Sequence, residues 1–196
     1  MVHRRFRGRT NLRASVLMPW AIPTAVTAVM WQWMFQPAGV INAILGHEII
    51  WTGPVWSSRL AIIIADTWKT APFISLLVLA AMQSIPDEVY EVARVNGASA
   101  WQRTWRITLP LVKPALAVAV LFRVLDALRM YDLPAILTHG ANGTTTMSVF
   151  AYQQAINQGK FGYGSALSTL TFVLVFVVGL AFVRVLSRRI AETAGP

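Results

Sequence analysis

The chain has 196 residues, 56% of them hydrophobic and 13% charged, with a mean hydropathy of +0.54 and a formal net charge of +9. Apolar content of that size belongs to membrane proteins rather than water-soluble domains. The basic residues flank apolar stretches and form no stripe interleaved with aromatics on a polar fold, which argues against nucleic acid as a partner. The lack of cysteine excludes disulfides and thiolate metal sites.

Crossing the hydrocarbon core takes roughly 20 mostly apolar residues, and four stretches qualify. The first, 12–35, follows Arg4, Arg5, Arg7, Arg9 and Arg13 without a small-residue cleavage site, so no cleavable signal peptide is expected. Turn chemistry fills 36–58, with Gln36-Pro37-Ala38-Gly39 and Thr52-Gly53-Pro54. Trp31, Trp33, Trp51 and Trp56 suit an interfacial belt. The second span covers 60–82. A charge within the hydrocarbon is costly unless paired or wetted, and Asp66 and Lys69 are spaced to pair along one helix face. Asp66, Thr70 and Phe73 also share a stripe, offering an acid, a hydroxyl and a ring on one side, as a sugar would require.

Residues 84–113 form the most informative segment. Ser84-Ile85-Pro86-Asp87 reads as a capping-box-like helix start, with Asp87, Glu88 and Glu91 early and Arg94 late, as the helix dipole prefers. Gly97 suits the left-handed end of that helix. Ser99-Ala100-Trp101-Gln102 repeats the capping pattern, and Leu109-Pro110 is expected to stop the second helix before Pro114 opens the third span. Ala93, Ala98 and Ala100 leave a low-relief surface for a partner. A connector lying on the membrane surface, with Trp101 and Trp105 among headgroups, explains the same residues equally well from physics alone.

The third span is placed at 115–137, where Arg123, Asp126, Arg129 and Asp132 alternate in sign three residues apart, a self-neutralising ladder. His139-Gly140-Ala141-Asn142-Gly143 reads as a plain turn within the loop 138–164, and the fourth span runs 165–186. His3 and His47 have no companion ligands, so no metal site is expected. Arg94, Arg103, Arg106 and Lys113, like the basic ends of the chain, mark one side as cytoplasmic, while the opposite loops hold Arg59 and Lys160. Both termini and the 84–113 loop are expected inside, with residues 1–196 forming one membrane domain. Asp66 and Asp126 raise a membrane enzyme with an acid–base pair as a competing class, but no nucleophile or metal motif accompanies them.

The 84–113 loop resembles the EAA signature of ABC importer permeases, with Glu91, Ala93, Gly97, Ile107, Leu109 and Pro110 in the signature places. The wider run from Gln83 to Pro114 is similar to the carbohydrate-importing, maltose-type branch. So are Leu17-Met18-Pro19-Trp20-Ala21-Ile22-Pro23, Asp66-Thr67-Trp68 and Phe161-Gly162-Tyr163-Gly164-Ser165-Ala166. Val92, where alanine is usual, and Asn96, where aspartate is usual, depart from the pattern. The resemblance implies an all-α, polytopic membrane bundle of the type I importer permease kind, here with about four transmembrane helices. It implies a non-enzymatic permease subunit for a di- or oligosaccharide such as a trehalose- or maltose-like sugar.

By the same resemblance, Glu88, Glu91, Ala93, Gly97, Ala98, Ser99, Ile107, Leu109 and Pro110 form the ATPase-coupling loop, whose first helix docks the ATPase while Ile107 and Leu109 seat the hairpin on its own bundle. Asp66, Thr70, Phe73, Asp126, Ala127 and Met130 line the substrate path. The acids at 66 and 126 depart from the neutral groups usual there. The implied partners are a second permease, an ATP-binding subunit dimer, an extracytoplasmic solute-binding protein facing the glycine-rich loop after the third span, and lipid of a bacterial plasma membrane. The chain has no phosphate-binding loop, so it is expected to bind no cofactor, with ATP and Mg residing on the partner ATPase. Its opening resembles an internal loop of the family, so the chain is expected to be N-terminally short. A truncated, non-transporting subunit, or a permease for a solute such as glycerol phosphate, are the competing expectations.

Overall fold

The computed structural model describes residues 15 and 17–193, with side chains through Leu186. The arginines expected to mark the amino terminus, His3, and the side chains of Arg188 and Arg189 lie outside the described residues. Every regular element described is helical: α1 (Thr24–Met34), α2 (Val40–Leu45), α3 (Val55–Gln83), α4 (Asp87–Val95), α5 (Ala100–Leu128), α6 (Asp132–Leu137), α7 (Met147–Tyr152) and α8 (Phe161–Thr193).

Three helices among the described residues are long and apolar enough to cross a membrane: Val55–Gln83, Ala100–Leu128 and Phe161–Leu186. The expected first span begins outside the described residues, and its described part is interrupted. A helical segment over 17–21 ends at Ile22, Pro23 adopts φ −54° and ψ 139°, and α1 then runs for only 11 residues. Proline removes the ladder N–H and disfavours helical geometry in the residue before it, which accounts for the break. Pro72, by contrast, is buried within a continuous α3.

The third span differs from expectation at both ends. Leu109-Pro110 does not stop the hairpin's second helix. The chain stays helical from Ala100 through a π turn at Thr104–Thr108 to Leu128. A proline one residue into the segment after the π turn costs little where the wider ladder already spares its N–H. At the other end Arg129 leaves helical geometry with φ −109° and ψ 15°, and a separate α6 starts at Asp132, whose carboxylate suits a helix amino end. Residues 129–137 therefore belong to a reversal rather than to the span. α8 likewise starts at Phe161, four residues before the expected Ser165.

The core lies where α1 and α6 meet the first half of α3. Ala28, Trp31 and Phe35 pack with Ala61, Ile62 and Ala65, with Leu133 and Leu137, and with Trp51 from the loop. Ring centroids stand 5.2 Å apart for Trp31–Phe35, 5.0 Å for Phe35–Trp51 and 5.8 Å for Trp31–Trp68. Of the tryptophans assigned to the expected belt, Trp31 and Trp51 are instead buried, while Trp33 and Trp56 are exposed. Trp31 and Trp33 lie two residues, roughly 200°, apart around α1 and cannot share a face. Trp51 is held by its indole N–H donating to Asn42 Oδ1 at 2.9 Å, and Asn42 Nδ2 donates to the carbonyls of Pro37 and Ile49. The buried amide is thereby satisfied, as burial requires.

Beyond α6 the chain turns through 139–143, where His139 and Asn142 join Gly140 and Gly143 at positive φ. Asn142 Nδ2 donates to the Thr52 carbonyl at 2.7 Å and Arg59 Nε to the Gly143 carbonyl at 3.2 Å, tying this turn to the loop before α3 and to the start of α3. α7 and the π turn after it, Gln153–Asn157, pack on the start of α8. There the backbones approach so closely that a Cβ on Gly164 would stand 2.5 Å from Ala155 Cβ and 2.9 Å from the Ala151 carbonyl oxygen.

Candidate functional site

Two features gather the residues singled out by sequence: a polar hairpin between α3 and α5, and a groove within the helical bundle.

The hairpin is built by local rules. α4 carries Asp87 and Glu88 in its first turn and Arg94 in its last. Gly97 sits at φ +75°, and the Ala98 and Gly97 N–H groups bond back to the carbonyls of Ala93 (2.9 Å) and Arg94 (3.0 Å). This pair of bonds closes a helix through a left-handed residue. A Cβ on Gly97 would meet nothing of this chain within 4 Å, so within the chain the glycine answers to backbone conformation and not to crowding. Ser99 then makes a complete capping box, its hydroxyl accepting from the Gln102 N–H and its own N–H donating to Gln102 Oε1 at 2.9 Å. The expected box at Ser84 is not formed. Pro86 occupies the N-cap of α4, and the Ser84 hydroxyl instead donates to the Ala81 carbonyl at the end of α3.

The two arms are joined by Tyr90 and Thr108, whose hydroxyls lie 3.1 Å apart. Between them runs a groove of about 540 Å³ lined by Glu88, Val89, Val92, Ala93, Asn96 and Ile107. Ala93 is buried at the floor of this groove, whereas Val92 and Val95 are exposed at 60% and 88%. The open apolar relief of α4 therefore comes from the valines. Glu91 and Pro110 are exposed, Ala98 and Leu109 half-buried, and Glu91 reaches Arg94 at 3.7 Å.

The second feature is a groove of about 390 Å³ between the 17–21 segment, α3, α5 and α8. It is lined by Trp20, Thr70, Phe73, Ile74, Phe122, Arg123, Leu125, Asp126, Arg129 and Val175. Trp20 stacks on Phe73 with centroids 5.9 Å apart and planes 17° from parallel, and Phe122 meets Phe73 edge-on at 6.1 Å. Thr70 donates to the Asp66 carbonyl at 2.7 Å, leaving its oxygen free to accept. Of the sequence candidates the groove gathers Thr70, Phe73 and Asp126. Asp66 stands behind it as a partner of Arg123, Ala127 is exposed outside the lining, and Met130 packs on the core.

The ion pairs follow the expected i, i+3 ladder only in part. Asp66 does not pair with Lys69. It bonds to Arg123 across the helix interface, and Arg123 also donates to Asp126 at 2.9 Å. Arg129 approaches Asp126 at 3.9 Å, while Asp132 lies beyond the helix end and takes no part. Lys69 instead donates to the Ile22 carbonyl at the break before α1. Two guanidinium groups and two carboxylates leave this network with no net charge. Among the wall residues that sequence reasoning missed are Trp20, Phe122, Arg123 and Arg129. Phe122, Asp126 and Arg129 recur at i, i+4 and i+7, the same stripe already visible as Asp66, Thr70 and Phe73, and that signal was available. Trp20 had no local signal. Rings that stack on apolar faces, beside fixed donors and acceptors, suit a polar solute with a flat C–H surface.

Residues 2–192 match the sequence profile of the family described as "Binding-protein-dependent transport system inner membrane component". The chain is 44% identical over 192 residues to the trehalose/maltose transport system permease protein of Thermococcus litoralis, covering 94% of this chain and 65% of that protein. It is 37% identical to the trehalose transport system permease protein of Mycobacterium tuberculosis, over 94% of this chain and 60% of that one. To the sulfoquinovosyl glycerol transport system permease protein of Agrobacterium fabrum it is 39% identical, over 89% and 59%. The chain thus spans less than two thirds of the length of these relatives. Among solved structures it superposes with a TM-score of 0.84, at 25% identity, on a chain of a bacterial ABC transporter involved in import of the acidic polysaccharide alginate, covering 96% of this chain and 69% of that one.

Proposed function

Because the chain belongs to the family of binding-protein-dependent transport system inner membrane components, we propose that it serves as a permease subunit of an ABC importer for a di- or oligosaccharide. The observation that carries this reading is the groove in which Trp20, Phe73 and Phe122 face Thr70, Asp126 and Arg129. The rings present surfaces to sugar C–H faces, and the hydroxyl, carboxylate and guanidinium answer sugar hydroxyls. Relatives named for trehalose and maltose transport support the solute class. Asp66 and Asp126 sit in a charge-balanced network, so their presence imposes no negative field on the path.

The chain itself is non-catalytic. ATP and Mg bind a separate ATPase dimer that docks on the hairpin through Glu88, Glu91, Val92, Gly97 and the groove beside Ile107. A second permease completes the path, and a solute-binding protein delivers the sugar to the far end, where the 139–143 turn is pinned to the loop before α3. Arg94, Arg103, Arg106 and Lys113 support a hairpin on the cytoplasmic side of the plasma membrane. Transport proceeds by alternating access, with ATPase closure moving the hairpin.

Uptake of labelled trehalose or maltose by cells expressing the complete importer tests the reading. Phe73→Ala and Asp126→Asn are expected to cut uptake by about tenfold or more, the scale of losing one wall of a small-molecule site. Trp33→Ala, on an exposed face away from the groove, is expected to leave uptake unchanged. Equal uptake by all three, or uptake of glycerol phosphate in place of sugar, would refute the assignment.

A further inference from the structure

Lys69 lies within α3, a membrane-crossing helix, where an ammonium is costly and needs a partner. Among the described residues it makes no ion pair, and Asp66, three residues before it, is engaged by Arg123. Its Nζ donates to the Ile22 carbonyl, in the break between the 17–21 segment and α1. That carbonyl is available because Pro23 interrupts the ladder; the next regular bond closes from Thr27 N–H to the Pro23 carbonyl at 3.0 Å. Phe73, one turn beyond Lys69 on the same face of α3, stacks on Trp20. The stretch 20–22 is therefore fastened to α3 at two points four residues apart, a backbone carbonyl and an indole ring. Trp20 is 53% exposed, and Pro19 and Pro23 bracket it.

We infer that Lys69 is a positioning residue that seats Trp20 over Phe73 through the Ile22 carbonyl and so fixes one wall of the solute groove. This rests on the reading of the groove as the sugar path, and the variants are chosen to separate the two.

In the complete importer, transport KM and maximal rate are measured for Trp20→Ala, Lys69→Met, the double variant and Lys69→Arg. Trp20→Ala is expected to raise KM about tenfold, the scale of an aromatic contact. Lys69→Met is expected to do the same with maximal rate and assembled complex unchanged, and the double variant to be no worse than Trp20→Ala. Lys69→Arg, still a donor, is expected to stay close to the parent.

A wild-type KM for Lys69→Met, or effects that multiply in the double variant, would overturn the inference while leaving the groove intact. An unchanged KM for Trp20→Ala would overturn the groove reading and this inference with it. A second measurement does not require transport. The chain has no cysteine, so Ile22→Cys can be labelled specifically in isolated membranes. Maleimide labelling at position 22 should accelerate with Lys69→Met but not with Lys69→Arg, and equal rates in the two would overturn the inference.

Discussion

Arg123→Met puts the central ion network to a quantitative test. Arg123 and Asp66 side chains are only 22% and 15% exposed, and each sits on a different membrane-crossing helix. Removing one partner of a buried pair leaves an uncompensated charge and costs about 3–5 kcal/mol. The second bond, to Asp126, involves a carboxylate that is 55% exposed, and such pairs contribute about 0–1 kcal/mol. Asp66 therefore dominates the loss. At roughly 2–4 °C per kcal/mol for a chain of this size, the apparent melting temperature in detergent should fall by on the order of 10 °C. Replacing both partners, as Asp66→Leu with Arg123→Met, removes the stranded charge and should recover most of that fall. Thermal unfolding of the four purified proteins, parent and two single variants and the double, completes the cycle. A single variant within 2 °C of the parent (about the effect of one weak surface contact), or a double variant no better than Arg123→Met, would show that the bridge carries no such energy.

Gly97→Asn should leave hairpin stability nearly unchanged, because asparagine tolerates positive φ, whereas Gly97→Ala should cost about 1–2 kcal/mol; amide exchange across 87–102 measures both. If ATPase capture is lost even with Gly97→Asn, the glycine also serves close approach by the partner. Ser99→Ala should loosen the first turn of α5 by about 0.5–2 kcal/mol, read as faster exchange of the Ala100–Gln102 amides. Gly164→Val should destabilise by about 1–3 kcal/mol or more, since its Cβ would press on Ala155 and the Ala151 carbonyl; a melting temperature equal to the parent's would mean the contact yields freely.

The parts of this molecule that were legible in the sequence are those decided within one turn of helix. Gly97 and the Ser99–Gln102 box needed only local hydrogen bonding, and the structure forms both. The ladder within α5 was legible, since Arg123–Asp126 and Asp126–Arg129 keep the i, i+3 spacing, but the pair across helices was not, because that spacing describes one helix while Arg123 also reaches Asp66 on a neighbouring one. Arg129 and Asp132 kept the spacing but lost the helix between them. Trp31 and Trp33 looked alike as belt residues until the core chose one of them. Ser84 carried a valid capping signature, yet the end of α3 claimed its hydroxyl first. The wall residues missed in the groove include two kinds: Phe122 and Arg129 shared a stripe with Asp126, while Trp20 depends on a contact some fifty residues away that no periodicity encodes.

The unbroken passage of α5 from hairpin to groove has a mechanical consequence. At 1.5 Å per residue its 29 residues make a strut roughly 43 Å long. Trp101 and Trp105 stand near one end, Arg123 and Asp126 near the other, and the π turn thickens the strut without interrupting it. A strut that pivots near its middle moves its ends in opposite directions. If α5 pivots in this way, whatever draws the hairpin end toward a neighbour carries the groove end away from that neighbour, so one length of helix gears the two in antiphase.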